Sequence, residues 1–350
     1  MNNKRLGKQS VSFDIAPRIL SSGTVVGDVE GQGPIGKHFD LILEDDMWGE
    51  KSFEKSECKM YERAVRIASQ KANIDPADLD CLLGGDLLNQ IITANYAARQ
   101  LGSPFLGLYG ACSTMAESML IGAMLINGGF AQYVACAASS HFSTAERQYR
   151  MPLELGSQPT PTSQRTVTGS GCLVLTDGGN QIGRGEDNEM YNDLFIAGGT
   201  IGKVIDMGIT DANNMGAAMA PAALDTMIAH FNDTNRTLAD YDLIITGDLG
   251  LFGTEMLYDL CRDSGIDLGD KHIDCGTTIF EPSQDVDCGA SGCGCAATVL
   301  SAYLLKRMDA GDFNRAFFMA TGALMSPMSG LQGESIPCIA HGIVLERRTV

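Results

Sequence analysis

The sequence predicts an α/β fold of two duplicated lobes, each built on a largely parallel sheet. "DLDCLLGGDLL", beginning at Asp78, is echoed by "DYDLIITGDLG", beginning 162 residues later at Asp240. Each is an apolar, strand-like run that ends in Gly-Asp behind an acidic loop, as buried parallel strands do. "GGFAQYVACAA", from Gly128, is echoed by "GDFNRAFFMAT", from Gly311, at an offset of 183. Helical patterns fill the intervals, and strands alternating with helices give an α/β fold.

The elements follow in order. "FEKSECKMYERAVRIASQKA" (53–72) has the apolar spacing of an amphipathic helix. The Gly-Asp strand of the first lobe comes next, and after it a small-residue turn, "LYGACST", that opens a second helix at Cys112. The 162-residue offset carries Cys112 onto Asp274, so the difference between the two offsets places about 21 additional residues after Asp274 in the second lobe. "CAATVLSAYLLKRMDAG" (295–311) ends in basic residues and glycine, which stop a helix. The polar, glycine-rich stretch around 178–195 separates an N-terminal lobe, 1–180, from a C-terminal lobe, 181–350.

Composition narrows the function. With 350 residues, 44% of them hydrophobic, the chain can bury a large core. A formal net charge of -18 opposes binding to nucleic acid or adsorption to anionic lipid. No secretory leader is expected from "MNNKRLGKQSVSF", and apolar runs such as "MLIGAMLI" are too short to span a bilayer. Eleven cysteines, an odd number, point to reduced thiols and synthesis in a cytosol.

Cys112 is the first candidate for chemistry, because amides at a helix start favour a thiolate. A free cysteine is equally a small buried apolar residue, so the segment alone leaves both roles open. Its place at a strand-to-helix turn in a duplicated α/β chain resembles the thiolase and ketoacyl-synthase superfamily. That resemblance implies a thiolase fold, layered α-β-α-β-α, with a pocket between the lobes and Cys112 at the position of the acylated cysteine. It also offers Cys338 and His341, in "PCIAHGIVLE", as the C-terminal proton-handling pair.

The superfamily's "GHPxGxSG" histidine has no counterpart. "DVDCGASG" (285–292) supplies the glycines, but Val286 stands at the histidine position and Asp287 at the proline. Valine moves no proton and stabilises no enolate. His141 follows a strand end and is a pocket candidate, whereas His38 and His230 read as surface or loop and His272 as a loop near the lobe interface. "CGASGCGC" lacks a second ligand pair with metal-site spacing, so no metal and no cofactor is assigned. "TGSG" (168–171) lacks a P-loop lysine and reads as a turn leading into a strand.

Longer strings are more specific: "GDLLNQ" (85–90), "ANYAARQLGSPFLGLYGACST" (94–114), "HFSTAERQYRMPLELGSQ" (141–158), "GKVIDMGITDANNMGAAMAPAA" (202–223) and "ESIPCIAHGIV" (334–344). Together they resemble the stage V sporulation protein AD family. The resemblance implies binding of dipicolinic acid (pyridine-2,6-dicarboxylate), with or without Ca²⁺, in support of its uptake into the developing spore. It further implies a protein made in the forespore cytosol and held peripherally at the spore inner membrane by other stage V A-group proteins. Superfamily members commonly pair through an edge strand, which suggests a homodimer.

A flat dianion calls for cationic forks or amide donors. Candidates near strand ends are Arg147, Arg150, Arg165 and Lys203, with Cys112, His141, Cys338 and His341 as the pocket's other members. Asp86 and Asn89 either touch ligand or brace their turn, bracing being favoured. The leading expectation is a non-enzymatic dipicolinate binder. The alternatives are a condensing enzyme or acyltransferase using Cys112, and a scaffold for membrane partners.

Overall fold

The computed structural model describes residues 4–149, 159–177, 190–191 and 193–348. The first half contributes strands β1 (Arg18–Val26), β2 (Cys81–Gly85), β3 (Phe105–Gly107), β4 (Tyr133–Ser140) and β5 (Gly169–Thr176). The second contributes β6 (Leu194–Thr200), β7 (Leu243–Thr246), β8 (His272–Asp274), β9 (Arg315–Ala323) and β10 (Cys338–Arg347). From its outer edge inward the first half runs β3-β2-β4-β5-β1, and the second runs β8-β7-β9-β10-β6. The two orders are the same, so the sequence echo is an echo of topology. β1 and β6 meet at a single pair, Arg18 opposite Phe195, and a short N-terminal hairpin adds to β6 through Ser10, Val11 and Ser12.

Helices α1 (Phe53–Lys71) and α2 (Ile92–Leu101) cover the outer face of the first half-sheet. α1 starts at Ser52, whose hydroxyl accepts the Lys55 N–H, and buries Met60, Tyr61, Ala64, Val65 and Ala68 against the strands. On the far side α5 (Met215–Thr234) and α6 (Gly250–Asp263) cover the second half-sheet. Between the two half-sheets lie α3 (Thr114–Asn127) and α7 (Cys293–Val299), reached in the sequence after α4 (Phe142–Tyr149) in the second case. Apolar side chains fall nearly all round α3, with Met115, Ala116, Met119, Leu120 and Ala123 buried, which suits a helix with sheet on both sides. The result is the layered α-β-α-β-α arrangement, its largest apolar cluster in the middle layer.

The helix read from the sequence at 295–311 begins slightly earlier and is not uniform. α7 passes through a π-helical turn, Leu300–Leu304, into a further helical segment, Leu305–Ala310, closed by left-handed Gly311. The extra residues after Asp274 form two 3₁₀ turns and the short strand Ala290–Ser291 before α7. That strand pairs in parallel with Arg165–Thr166 of the first half. The expected lobe boundary at 180 lies outside the described residues.

Some local readings need correction. His230 is not on the surface: it is buried in α5, contacts Thr200 Oγ1 at 2.7 Å and stacks on Phe317 with ring centroids 3.9 Å apart. His272 is in strand β8 rather than a loop, with Nε2 2.9 Å from Thr246 Oγ1. Of "TGSG", only Thr168 precedes the strand, because β5 begins at Gly169.

Candidate functional site

Cys112 stands where the turn after β3 enters α3, on the inner face of the first half-sheet. The preceding residue, Ala111, has φ +50, a left-handed conformation costing an L-residue roughly 1 kcal/mol or more. The turn is held by side chains: Ser113 Oγ donates to Gly110 O (2.7 Å) and Thr114 Oγ1 to Ala111 O (2.7 Å). A strained turn fixed this firmly presents the thiol in one place.

The second half supplies what the thiol faces. β7 ends in Thr246-Gly247-Asp248, and the Asp248 carboxylate lies beside the Cys112 sulfur together with the Gly292 amide. Asp248 accepts the Gly292 N–H (2.9 Å) and the Thr321 hydroxyl (2.9 Å), and its carbonyl accepts from Gln164 Nε2 (2.7 Å). Burial pushes this carboxyl up to about 7. Burial, and after it the charge of Asp248, drives the thiol well above its ordinary range. Burial and Asp248 thus oppose the helix-start effect expected to favour a thiolate, and both favour the neutral thiol.

Asp248 was not among the sequence candidates. The signal lay in the echo, for Asp248 is the second-half counterpart of Asp86. Asp86 braces its own turn, accepting the Leu88 and Ala94 N–H groups (2.8 Å each). Asp274, the counterpart of Cys112, likewise accepts from Leu249 (2.9 Å) and Gly250 (3.0 Å) at the start of α6. Asp248, by contrast, lies against Cys112 of the other half.

Next to Cys112 is a cavity of about 30 Å³ walled by Leu87, Ala145, Tyr149, Thr166, Ser291 and Met325, among others. It has room for one or two waters and is far below the roughly 300 Å³ of small-ligand sites. Of the eight residues the sequence offers for the pocket, seven are described, and among these Cys112 alone is on its wall. His141 follows β4 as expected but turns away, with Nε2 2.9 Å from the Asp46 carbonyl and Nδ1 accepting the Ser143 N–H. Arg147 pairs with Glu54, and Lys203, 58% exposed, pairs with Asp225 at 3.5 Å. Cys338 is buried in the outer core of the second half, its thiol directed at Ile336 O. His341 Nδ1 accepts the Gly202 N–H (3.2 Å), and burial lowers its pKa to about 4. Arg165 stacks on Phe142 with the guanidinium carbon 4.1 Å from the ring centroid, and Arg150 lies outside the described residues. Val286 packs against the central apolar cluster.

All eleven cysteines are free thiols. Among the described residues no cluster of His, Cys, Asp or Glu has metal-site geometry, and no helix is long and apolar enough to cross a membrane.

Solved structures share this architecture. A 3-oxoacyl-[acyl-carrier-protein] synthase III from Aquifex aeolicus superposes with a TM-score of 0.54 at 13% identity, covering 94% of this chain and 99% of that one. Human mitochondrial 3-ketoacyl-CoA thiolase in complex with CoA gives 0.58 at 10% identity, covering 99% and 100%. At such identities they establish the thiolase-type fold and nothing finer. The family profile described as stage V sporulation protein AD matches residues 7–346. The chain belongs to the stage V sporulation protein AD family. Within it, the Bacillus subtilis stage V sporulation protein AD is 46% identical over 344 residues, 98% of each chain. This is a sporulation protein with the fold of the condensing enzymes.

Proposed function

We propose that the chain is a non-enzymatic receptor for dipicolinic acid, acting in its uptake into the developing spore. The observation that carries the non-enzymatic part is the pairing of Cys112 with Asp248. A nucleophilic cysteine needs a base or a nearby cation to become a thiolate, and here its neighbour is a buried carboxyl that opposes ionisation. The position where the superfamily keeps its histidine holds Val286, and the buried histidines are hydrogen-bonded elsewhere.

Family membership supports the choice of ligand. The cavity beside Cys112 is lined by Thr166 and Ser291 together with apolar side chains that suit a flat ring. At 30 Å³ it admits a diacid only after its walls part, and no Lys or Arg is on those walls among the described residues. Ca²⁺ chelated by the ligand would offset its charge, which calls for comparison of binding with and without the ion. Calorimetry with dipicolinate, alone and with Ca²⁺, tests the reading. Heat that saturates with one ligand per chain supports it, and no heat at millimolar ligand overturns it.

The second reading, an acyltransferase or 3-oxoacyl synthase, is favoured by the strained Ala111-Cys112 turn. It predicts an acyl adduct on Cys112 after incubation with acyl-CoA, read by intact mass. Attachment at the spore inner membrane through other stage V A-group proteins, after synthesis in the forespore cytosol, completes the proposal. A homodimer is proposed through β3, an open sheet edge where Leu106 is 52% exposed.

A further inference from the structure

One end of α4 places Tyr149 on the wall of the cavity beside Cys112. The other end of that helix is anchored: Thr144 Oγ1 donates to the buried Glu57 carboxylate (3.0 Å), and the Phe142 N–H donates to Thr168 Oγ1 (3.1 Å). The cavity end is tied to α1 by the half-exposed Arg147–Glu54 ion pair, which is worth little at a solvated site. It is clasped to the 86–92 turn by polar contacts, in which Gln148 Nε2 donates to the Leu87 carbonyl (3.1 Å), Gln148 Oε1 accepts the Asn89 N–H (3.1 Å), and the Tyr149 hydroxyl donates to the same Leu87 carbonyl. With that proton committed, the Tyr149 oxygen is free to accept from Tyr109 (3.2 Å), whose hydroxyl also lies 3.5 Å from Met325 O.

The turn that receives the clasp is itself strained. Gln90 and Ile91 are consecutive left-handed residues, at φ +56 and +45, and for a β-branched side chain this is a true outlier. Leu87, Tyr149 and Met325, which the clasp ties together, are all wall residues of the cavity.

We propose that α4 is a hinged flap, and that the Gln148-Tyr149 clasp on Leu87 and Asn89 sets the opening of the Cys112 cavity. Releasing the clasp lets the Tyr149 end move while Thr144 and Phe142 hold the hinge, and it allows the 86–92 turn to relax. This deepens the binding reading by naming the gate a planar diacid passes, but its first readout requires no ligand.

That readout is the rate at which methyl methanethiosulfonate modifies Cys112, followed by peptide mass at fixed pH in the full-length wild type, Tyr149→Phe and Gln148→Ala. Each variant removes one or two hydrogen bonds of the clasp, so labelling at Cys112 should accelerate roughly three- to tenfold, with the buried Cys172 and Cys136 unchanged. Acceleration at all three cysteines signals general loosening and overturns the flap, as does an unchanged rate at Cys112 in both variants. Dipicolinate association by stopped flow should accelerate in the same variants. If labelling responds but neither variant nor wild type binds dipicolinate, the flap stands and the ligand assignment falls.

Discussion

Asp248 accepts the Gly292 N–H and the Thr321 hydroxyl while facing the Cys112 thiol, so an aspartate of the second half adds its charge to burial in opposing ionisation of a cysteine in the first. Replacing Asp248 with Asn keeps its shape and removes its charge. Cys112 should then ionise more readily, with alkylation by iodoacetamide at pH 8.5 rising about tenfold for each unit by which the thiol falls. Peptide mapping of Cys112 checks this, and an unchanged rate would mean that burial alone silences the thiol.

Stability should fall as pH rises from 6.5 to 8. Burial raises Glu30 and Asp248 to about 7, Glu57 to about 8, and Asp86 and Asp274 to about 6. The folded state therefore holds more protons than the unfolded chain from the ordinary carboxylate range up to about pH 8, and in that window these groups make stability fall as pH rises. Buried His230, lowered to about 3, and His272 and His341, lowered to about 4, act oppositely: the unfolded chain takes up their protons first, so they cost stability below about 6.5. From pH 6.5 to 8 only the carboxyls act. Urea midpoints should fall across that interval.

Gly292 joins the Ala290–Ser291 strand to α7 at φ +101, and a Cβ there would come within 2.7 Å of Ser140 Oγ. Gly292→Ala should cost about 1–3 kcal/mol in denaturant unfolding, from backbone strain and contact together. It should also disturb the amide that holds Asp248, making Cys112 labelling a second readout.

Cys112→Leu adds bulk to a wall that has about 30 Å³ to give, and should abolish the calorimetric signal with dipicolinate. Arg147→Ala and Lys203→Ala remove exposed ion pairs away from the wall and should leave affinity within about twofold. Loss of binding in the surface variants, with Cys112→Leu unaffected, would relocate the site.

Much of this was legible in the primary structure. The Gly-Asp echo anticipated two half-sheets of like order because buried strands must be apolar and end in polar turns, and both demands leave a mark on every copy. The insertion after Asp274 was visible for the same reason, as a break in register. The opposition of Cys112 and Asp248 was not, since it depends on how two halves face each other across the middle layer, and no local pattern encodes that distance. His141 shows the limit of positional reasoning: a strand end places a residue near the inter-lobe face, but its side chain goes where a carbonyl, here that of Asp46, satisfies it. His230 was misread because a helical histidine looks solvated until its partners, Thr200 and Tyr241, arrive from distant strands and turns.

The small parallel ladder between Arg165–Thr166 and Ala290–Ser291, with Gln164 donating to both Asp248 O and Ala290 O, is a seam stitched from the two halves of the polypeptide. A ribosome that has released only the first half has made Cys112 without its neighbour, so the chamber comes into being late, as the final strands dock. Severing the chain between the halves would yield two fragments that each lack a side of the chamber, and regaining a shielded Cys112 on mixing them would report their reunion.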